Sequence, residues 1–122
     1  MLKINGHSRE RRNDFCIWSV ERDGVTVASF YGGGSLSISV AAVEGEVNKD
    51  QPDKRFGEYD VEFSSEHDAF AIKGYGPVAL AYVFGPEAET MAKYAAAELN
   101  RNDMFFDNYI QRAQDYFVPN PE

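Results

Sequence analysis

The chain has 122 residues, a length that suits one domain with a single hydrophobic core. Hydrophobic residues make up 43 % of it and aromatic residues 14 %, which excludes global disorder and supplies a core without metals or disulfides. Twenty acidic residues against twelve basic ones give a formal net charge of −8, so the surface repels phosphate backbones and we expect no direct nucleic-acid binding.

Cysteine usage and hydropathy predict a cytoplasmic protein. The lone cysteine, Cys16, can form no intramolecular disulfide, and its place in an apolar run predicts a reduced, buried and inert thiol. The N-terminus carries no apolar stretch of the kind found in secretion signals, and no segment approaches the ~18 apolar residues of a membrane span. We therefore expect a soluble, uncleaved chain that does not meet a membrane.

Residues 1–13 form a basic N-terminal segment in which Leu2 and Ile4 suit a short strand. From residue 15 to 84 the apolar positions mostly recur with the period of two that is typical of strands. Residues 15–20 and 25–31 flank Asp23-Gly24, a dipeptide typical of a type I′ hairpin turn. The register expected for a two-residue turn pairs Val20 with Val27 and Ile17 with Phe30.

The next elements follow Gly32-Gly33-Gly34. Residues 36–42 alternate large apolar with small side chains and predict a third strand, and the charged residues 44–55 predict a long solvated loop. Further strands are expected at 56–64, 69–73 and 78–84, the last one central in the sheet and covered on both faces because it is apolar throughout.

After Gly85 the period changes to about 3.6 and predicts a helical hairpin over 86–117, followed by a tail at 118–122. The first helix carries a stripe of mostly small side chains: Ala88, Met91, Ala92, Ala95, Ala96 and Leu99. The second carries the aromatic residues Phe105, Phe106, Tyr109, Tyr116 and Phe117. This helix either wedges inside the domain or makes a homodimer. The fold class is therefore α+β: five or six antiparallel strands with a C-terminal helical hairpin on one face.

The acidic run from 44 to 68 is the strongest candidate surface. It carries nine carboxylates against three cations, and within it the acids alternate with large apolar residues, which places the acids on one strand face. Charge complementarity steers association, so we expect a protein partner with a basic surface, against the alternative of an ordinary solvated face. The predicted partner-binding residues are Glu44, Glu46, Asp50, Asp53, Glu58, Asp60 and Glu62.

The other candidate sites do not indicate ligand binding, metal binding or catalysis. The glycine run lacks the Lys-Ser/Thr of a phosphate-binding loop and, as a strand is expected next, lacks a helix dipole as well. Glu66-His67-Asp68 are adjacent residues of a tight turn, which rarely converge on one metal ion. Paired carboxylates on an outer strand face are solvated rather than tuned for acid–base work. We expect no enzyme, no metal and no cofactor.

Residues 78–100, from Val78 to Asn100, end a strand in a Gly-Pro turn and enter an alanine-rich helix that closes with an asparagine. This pattern resembles one common in small bacteriophage and prophage proteins. The resemblance implies a phage accessory protein working in the host cytoplasm. That class includes anti-CRISPR and anti-restriction inhibitors, which occupy the basic surfaces of nucleic-acid-handling complexes. The resemblance covers this segment only and assigns no functional residue.

Three functions remain open at this point. The leading prediction is an acidic, nucleic-acid-mimicking inhibitor of a bacterial defence complex, CRISPR-Cas or restriction. The alternative is an oligomeric small-ligand binder, a nucleotide-signal sponge, in which the basic N-terminal segment, Gly32–Gly34 and Tyr75 line the pocket. The third is a phage structural or assembly accessory.

Overall fold

The computed structural model describes residues 2–6, 16–32, 34–51, 58–74, 76 and 78–101, and these form six strands and two helices. The α+β class with an antiparallel sheet is therefore confirmed. In chain order the elements are β1 (Leu2–Gly6), β2 (Cys16–Arg22), β3 (Val25–Gly32), α1 (Ser35–Val47), β4 (Asp60–Ser64), β5 (Ala69–Lys73), β6 (Ala79–Phe84) and α2 (Ala88–Arg101).

The sheet consists of two similar halves. Its strand order is β1-β2-β3-β6-β5-β4, with every neighbouring pair antiparallel. Each half is a three-stranded meander followed by one helix, and the halves meet where β3 pairs with β6. As a result β1 and β4 are the two outer strands, and the strand predicted to be central, β6, lies in the middle of the sheet.

Both helices pack side by side on one face of the sheet, with α1 over β1–β3 and α2 over β4–β6. The sheet residues beneath them, including Ile4, Phe30 and Val83, are fully buried. The alanine-rich stripe predicted for α2 is buried along its whole length, so that prediction is confirmed. Contrary to the expectation for β6, only this face is fully covered, because Phe84 on the other face remains 37 % exposed.

Two glycines, one shortly before each helix, allow the two central strands β3 and β6 to approach each other closely. Gly32 ends β3 at φ +146° and Gly85 follows β6 at φ +113°, conformations that L side chains rarely adopt. A Cβ on Gly32 would lie 2.7 Å from the Leu80 carbonyl oxygen of β6, and one on Gly85 would lie 2.9 Å from the Val27 carbonyl oxygen of β3. The contacts are reciprocal, as the similarity of the two halves requires.

The predicted hairpin is confirmed, but its register differs by one residue. Asp23 and Gly24 both have positive φ, +52° and +84°, as a type I′ turn demands. A bulge between Val20 and Glu21 then shifts the pairing, so that Val20 faces Ala28 rather than Val27 and Ile17 faces Tyr31 rather than Phe30. The extra residue of a β-bulge produces a shift of this kind.

The strand predicted at 36–42 is wrong, because this segment lies within helix α1. The side chains between its large residues are serine and alanine, which are small enough to be buried on every side of a helix. The Ser39 hydroxyl donates to the Leu36 carbonyl at 2.6 Å, which satisfies a polar group inside the core. The start of the predicted 44–55 loop is also helical, because α1 continues to Val47.

Three predictions fall outside the described residues. They are the second helix of the C-terminal hairpin, the tail at 118–122 and the polar part of the N-terminal segment. Among the described residues, α2 packs against α1, which comes from the middle of the chain.

Candidate functional site

The carboxylates of the acidic run occupy different environments. Glu44 lies on α1 and is only 7 % exposed, so it adds no charge to the outer surface. Glu46, two residues later on the same helix, forms an ion pair with Arg22. Asp50 is exposed in the turn that follows α1, and Asp53 lies outside the described residues.

Arg22 neutralises Glu46 together with a second carboxylate. Its guanidinium donates to both oxygens of Glu46 and to both oxygens of Glu87, with Nη2 lying 3.1 Å from Glu87 Oε1. These hydrogen bonds, those to Glu46 foremost, raise the pKa of Arg22 above its already high ordinary value. The arrangement ties the end of β2 to the C-terminal part of α1 and to the turn before α2.

The exposed carboxylates gather along β4, the outer strand of one half. We call this set the acidic edge: Glu58, Asp60, Glu62, Glu66 and Asp68. No lysine or arginine occurs between residues 58 and 68. Glu62 pairs with Lys73 of the neighbouring strand at 2.9 Å, but its side chain remains 65 % exposed. The acidic edge is therefore a solvated group of negative charges, two of them on β4 and three on the residues beside it.

The opposite face of β4 carries the apolar residues that the alternation predicted. Val61 and Tyr59 are half-buried and pack against the core, whereas Phe63 is 54 % exposed. The Phe63 ring meets that of Phe70 edge to face, with centroids 5.2 Å apart. Core burial therefore fades toward the end of this outer strand.

The start of β4 is anchored by a buried side chain of α2. Asn100 is 2 % exposed; its Oδ1 accepts the Tyr59 backbone N–H at 2.7 Å and its Nδ2 donates to the Tyr59 carbonyl at 2.9 Å. The amide thus satisfies both backbone groups of Tyr59 as a neighbouring strand would. This anchor fixes the position of Glu58 and Asp60 on either side of it.

A groove of about 390 Å³ lies between the residues after α1, the start of β4 and the last turns of α2. Lys49, Lys93 and Arg101 line it, and we call it the cationic groove. Lys93 pairs with Glu89 at 2.7 Å on the surface. Arg101 pairs with Glu98 at 2.9 Å, where the Glu98 side chain is only 4 % exposed. The Asn48 amide also donates to Glu98, at 3.3 Å.

The glycine run does precede a helix, so the expectation that no helix dipole follows it is wrong. Helix α1 begins at Ser35, and Gly34 at its N-cap supplies no side-chain hydrogen bond. However, Ser35 and Ser37 in the first turn are only 1 % and 3 % exposed, so the turn offers an anion little access from solvent. Gly33 and Tyr75 lie outside the described residues.

The turn containing Glu66-His67-Asp68 is organised around the histidine. His67 Nδ1 lies 2.9 Å from the Ser64 hydroxyl, and the imidazole stacks on the Tyr82 ring at a centroid distance of 4.1 Å. Among the residues that the structure describes, no three His, Cys, Asp or Glu side chains are grouped to hold a metal ion. The aromatic residues predicted for self-association, from Phe105 to Phe117, and the Cys16 side chain are outside the described set.

Sequence reasoning missed the cationic groove and the side chains that organise it. Asn100 had a detectable signal: it lies four and eight residues after Ala96 and Ala92, so it continues the stripe that faces the core. Arg22 and Glu98 had none, because a single charged residue on an element is most often solvated.

No protein-family model, curated protein or solved structure matches the chain. Neither described helix has the length and apolar character needed to cross a membrane.

Proposed function

We propose that the chain is a non-enzymatic binding protein that uses its acidic edge to occupy a basic surface of a nucleic-acid-handling protein. The best fit for that partner is a bacterial defence complex, CRISPR-Cas or restriction, with the chain as its phage-encoded inhibitor in the host cytoplasm. The observation that supports this proposal is the set of exposed carboxylates on β4 and on the residues that flank it, at the outer strand of a well-packed sheet.

The spacing of the carboxylates suits nucleic-acid mimicry. Alternate residues of a strand are about 7 Å apart, since each residue rises ~3.4 Å. Phosphates of one DNA strand rise ~3.4 Å per step along the axis and also turn about it, so the direct distance between neighbouring phosphates is larger than this rise and closer to the spacing of Asp60 and Glu62. A surface that binds a phosphate backbone through lysine and arginine therefore meets similarly spaced negative charges at these two residues.

The environment of each acid narrows the residues on which the proposal depends. Glu44 is buried and Glu46 is held by Arg22, so neither offers a free charge to a partner. The proposal therefore depends on the acidic edge together with Asp50, which is exposed in the turn after α1.

The test is affinity capture from a bacterial lysate by the tagged protein, at low and high salt, followed by identification of the captured complex. The variant is Asp60→Lys with Glu62→Lys, and the matched control is Glu21→Lys with Glu89→Lys. Both double variants change the net charge equally, and each breaks one surface ion pair, Glu62–Lys73 or Glu89–Lys93. We expect a salt-labile complex that the control captures and the β4 variant does not.

A second measurement connects capture to inhibition. The captured complex is assayed for nucleic-acid binding with and without the purified chain, and we expect competition that the β4 variant loses. Equal capture by both double variants, or a captured complex that still binds its nucleic acid, would refute the proposal. Substrate turnover by the purified chain alone would refute the non-enzymatic part.

The other two functions stay predictions. A nucleotide co-purifying with a stable oligomer would favour the ligand-binding sponge, and higher-order assemblies without a defence target would favour an assembly accessory. Most residues predicted to line the inter-subunit pocket lie outside the described set, so no contact yet supports it.

A further inference from the structure

The cationic groove concentrates positive charge in an acidic protein. The structure describes six lysine and arginine residues, Lys3, Arg22, Lys49, Lys73, Lys93 and Arg101, and three of them line this one groove. One acidic residue, Asp60, is also part of its lining, which leaves a net charge of +2. Such a concentration in a chain of net charge −8 indicates a local preference for an anion.

The three cations have donors to offer an anion. Lys49 is exposed, and no carboxylate among the described residues pairs with it. The Lys93–Glu89 pair has both side chains more than half exposed, so water screens it and an anion can replace Glu89 at little cost. Arg101 commits Nη2 to Glu98, but a guanidinium carries five N–H donors, so others remain for a ligand.

The groove also has apolar surface and enough space for an organic molecule. Ala96 and Ala97 of α2 form one wall, and their small side chains leave the space that a larger residue would fill. Tyr59 and Val61 of β4 are half-buried on the other side. The volume of about 390 Å³ is within the range of roughly 300–1,000 Å³ that is typical of small-molecule sites.

We propose that the cationic groove binds a small organic phosphate with a flat apolar body, of which a nucleoside monophosphate is the simplest example. A phosphate monoester carries a charge of about −1.5 to −2 at pH 7, which matches the net +2 of the lining. Lys49, Lys93 and Arg101 hold the phosphate, and the flat body lies between Tyr59 and the alanines. The groove shares Asp60 with the acidic edge, but it holds the phosphate through cations that the proposed docking on a protein does not use.

The experiment is isothermal titration of the purified chain at low salt with AMP, adenosine and inorganic phosphate as separate probes. We expect AMP to bind more tightly than either part alone, because only AMP uses both the cations and the apolar wall. In Lys49→Ala/Lys93→Ala we expect AMP affinity to fall by about tenfold or more.

The matched control is Lys3→Ala/Lys73→Ala. It also removes two lysines and one surface ion pair, but neither residue lines the groove, so we expect AMP affinity to stay within about twofold of wild type. A third variant, Ala97→Leu, keeps every charge and a favourable helix residue but fills the groove, and it should abolish AMP binding. Circular dichroism verifies that each variant is folded.

Three results would overturn the inference. They are absence of AMP binding to the wild-type chain, equal loss of affinity in the two lysine double variants, and unchanged affinity in folded Ala97→Leu. Equally tight binding of a 5′-phosphorylated oligonucleotide would overturn the assignment to a free small molecule. Lys49→Ala/Lys93→Ala and Ala97→Leu leave all five carboxylates of the acidic edge and their ion pair in place, and only the control Lys3→Ala/Lys73→Ala removes the Lys73 partner of Glu62. The outcomes of the two groove variants therefore leave the docking proposal to its own test.

Discussion

Replacing Gly45 by alanine tests the packing of the two helices most directly. Gly45 of α1 lies against the backbone of Tyr94 on α2: an added Cβ would overlap the Tyr94 carbonyl oxygen and lie 2.7 Å from its carbonyl carbon. Non-bonded carbons prefer ~3.5–4.0 Å, so the helices must separate by about 1 Å to accept the methyl group. The obstacle is backbone, which no change of rotamer can move away.

Two opposing effects set the magnitude. Alanine is favoured over glycine inside a helix by about 1 kcal/mol, which taken alone predicts a more stable protein. Overpacking a well-packed core costs typically ~1–3 kcal/mol, and more when the backbone has to shift. Because the overlap is with backbone and the site is buried, we expect overpacking to prevail, with a net loss of about 2 kcal/mol in the free energy of unfolding.

The assay is urea-induced unfolding followed by circular dichroism, with Gly76→Ala as the control. Apart from the adjoining residues, nothing in the described part of the chain lies within 4 Å of a Cβ placed on Gly76, so the control should leave the midpoint almost unchanged. A Gly45→Ala variant as stable as wild type, or more stable, would refute the inference that α1 and α2 pack through this backbone contact.

Three further stability changes follow from the structure, each measurable by the same urea unfolding. Arg22→Met leaves two carboxylates facing each other without their cation, and we expect a loss of about 1 kcal/mol that shrinks at high salt; a salt-independent loss would contradict the electrostatic explanation. Asn100→Leu keeps the number and branching of the side-chain heavy atoms but removes both hydrogen bonds to the backbone of Tyr59, which should cost ~1–3 kcal/mol, and a neutral result would show that water replaces the amide. Gly85→Ala combines positive φ with a clash against Val27, so we expect a loss of about 1–3 kcal/mol, and an unchanged midpoint would disprove the close approach.

The sequence predicted strands well where period-two alternation was bounded by turn residues. The Asp23-Gly24 hairpin, β5 and the central position of β6 were all readable from local pattern, because turn chemistry and side-chain alternation act over a few residues. The one-residue error in the β2–β3 register comes from the bulge between Val20 and Glu21. Nothing in the local sequence marks this bulge, because Val20 and Glu21 continue the alternation of a regular strand.

The error at α1 has a different physical origin. An amphipathic helix shows a period of 3.6 because one of its faces is wet, and α2 shows this clearly. Helix α1 is buried on nearly all sides, so an alternation of small and large residues is compatible with a helix as well as with a strand. The length of the uncharged run was the overlooked signal. Residues 35–43 contain no charged side chain, and this run of residues is longer than the ~5–6 residues of an average strand.

The two candidate surfaces differ in how far sequence could reveal them. The acidic edge is contiguous in the chain, so its alternation was visible at once. The cationic groove joins residues 49–51, 59–61 and 93–101, and each of its cations taken singly resembles an ordinary solvated charge. Lys93 and Arg101 share α2, and Lys49 is brought to them by the packing of α1 against α2, where the Asn48 amide donates to Glu98.

The near-equivalence of the two halves offers an internal comparison for the acidic edge. Strands β1 and β4 occupy matching outer positions, and charged residues at outer strands are a common protection against edge-to-edge aggregation. Yet β1 itself carries one charged residue, Lys3, whereas β4 itself carries two acids, Asp60 and Glu62, and three further carboxylates lie among the residues 58–68 that flank it. Because a single lysine is present on outer strand β1, protection against edge-to-edge aggregation does not by itself require the acids at outer strand β4. The additional carboxylates beside β4 therefore support the proposed recognition of a basic partner, whose test is the capture experiment.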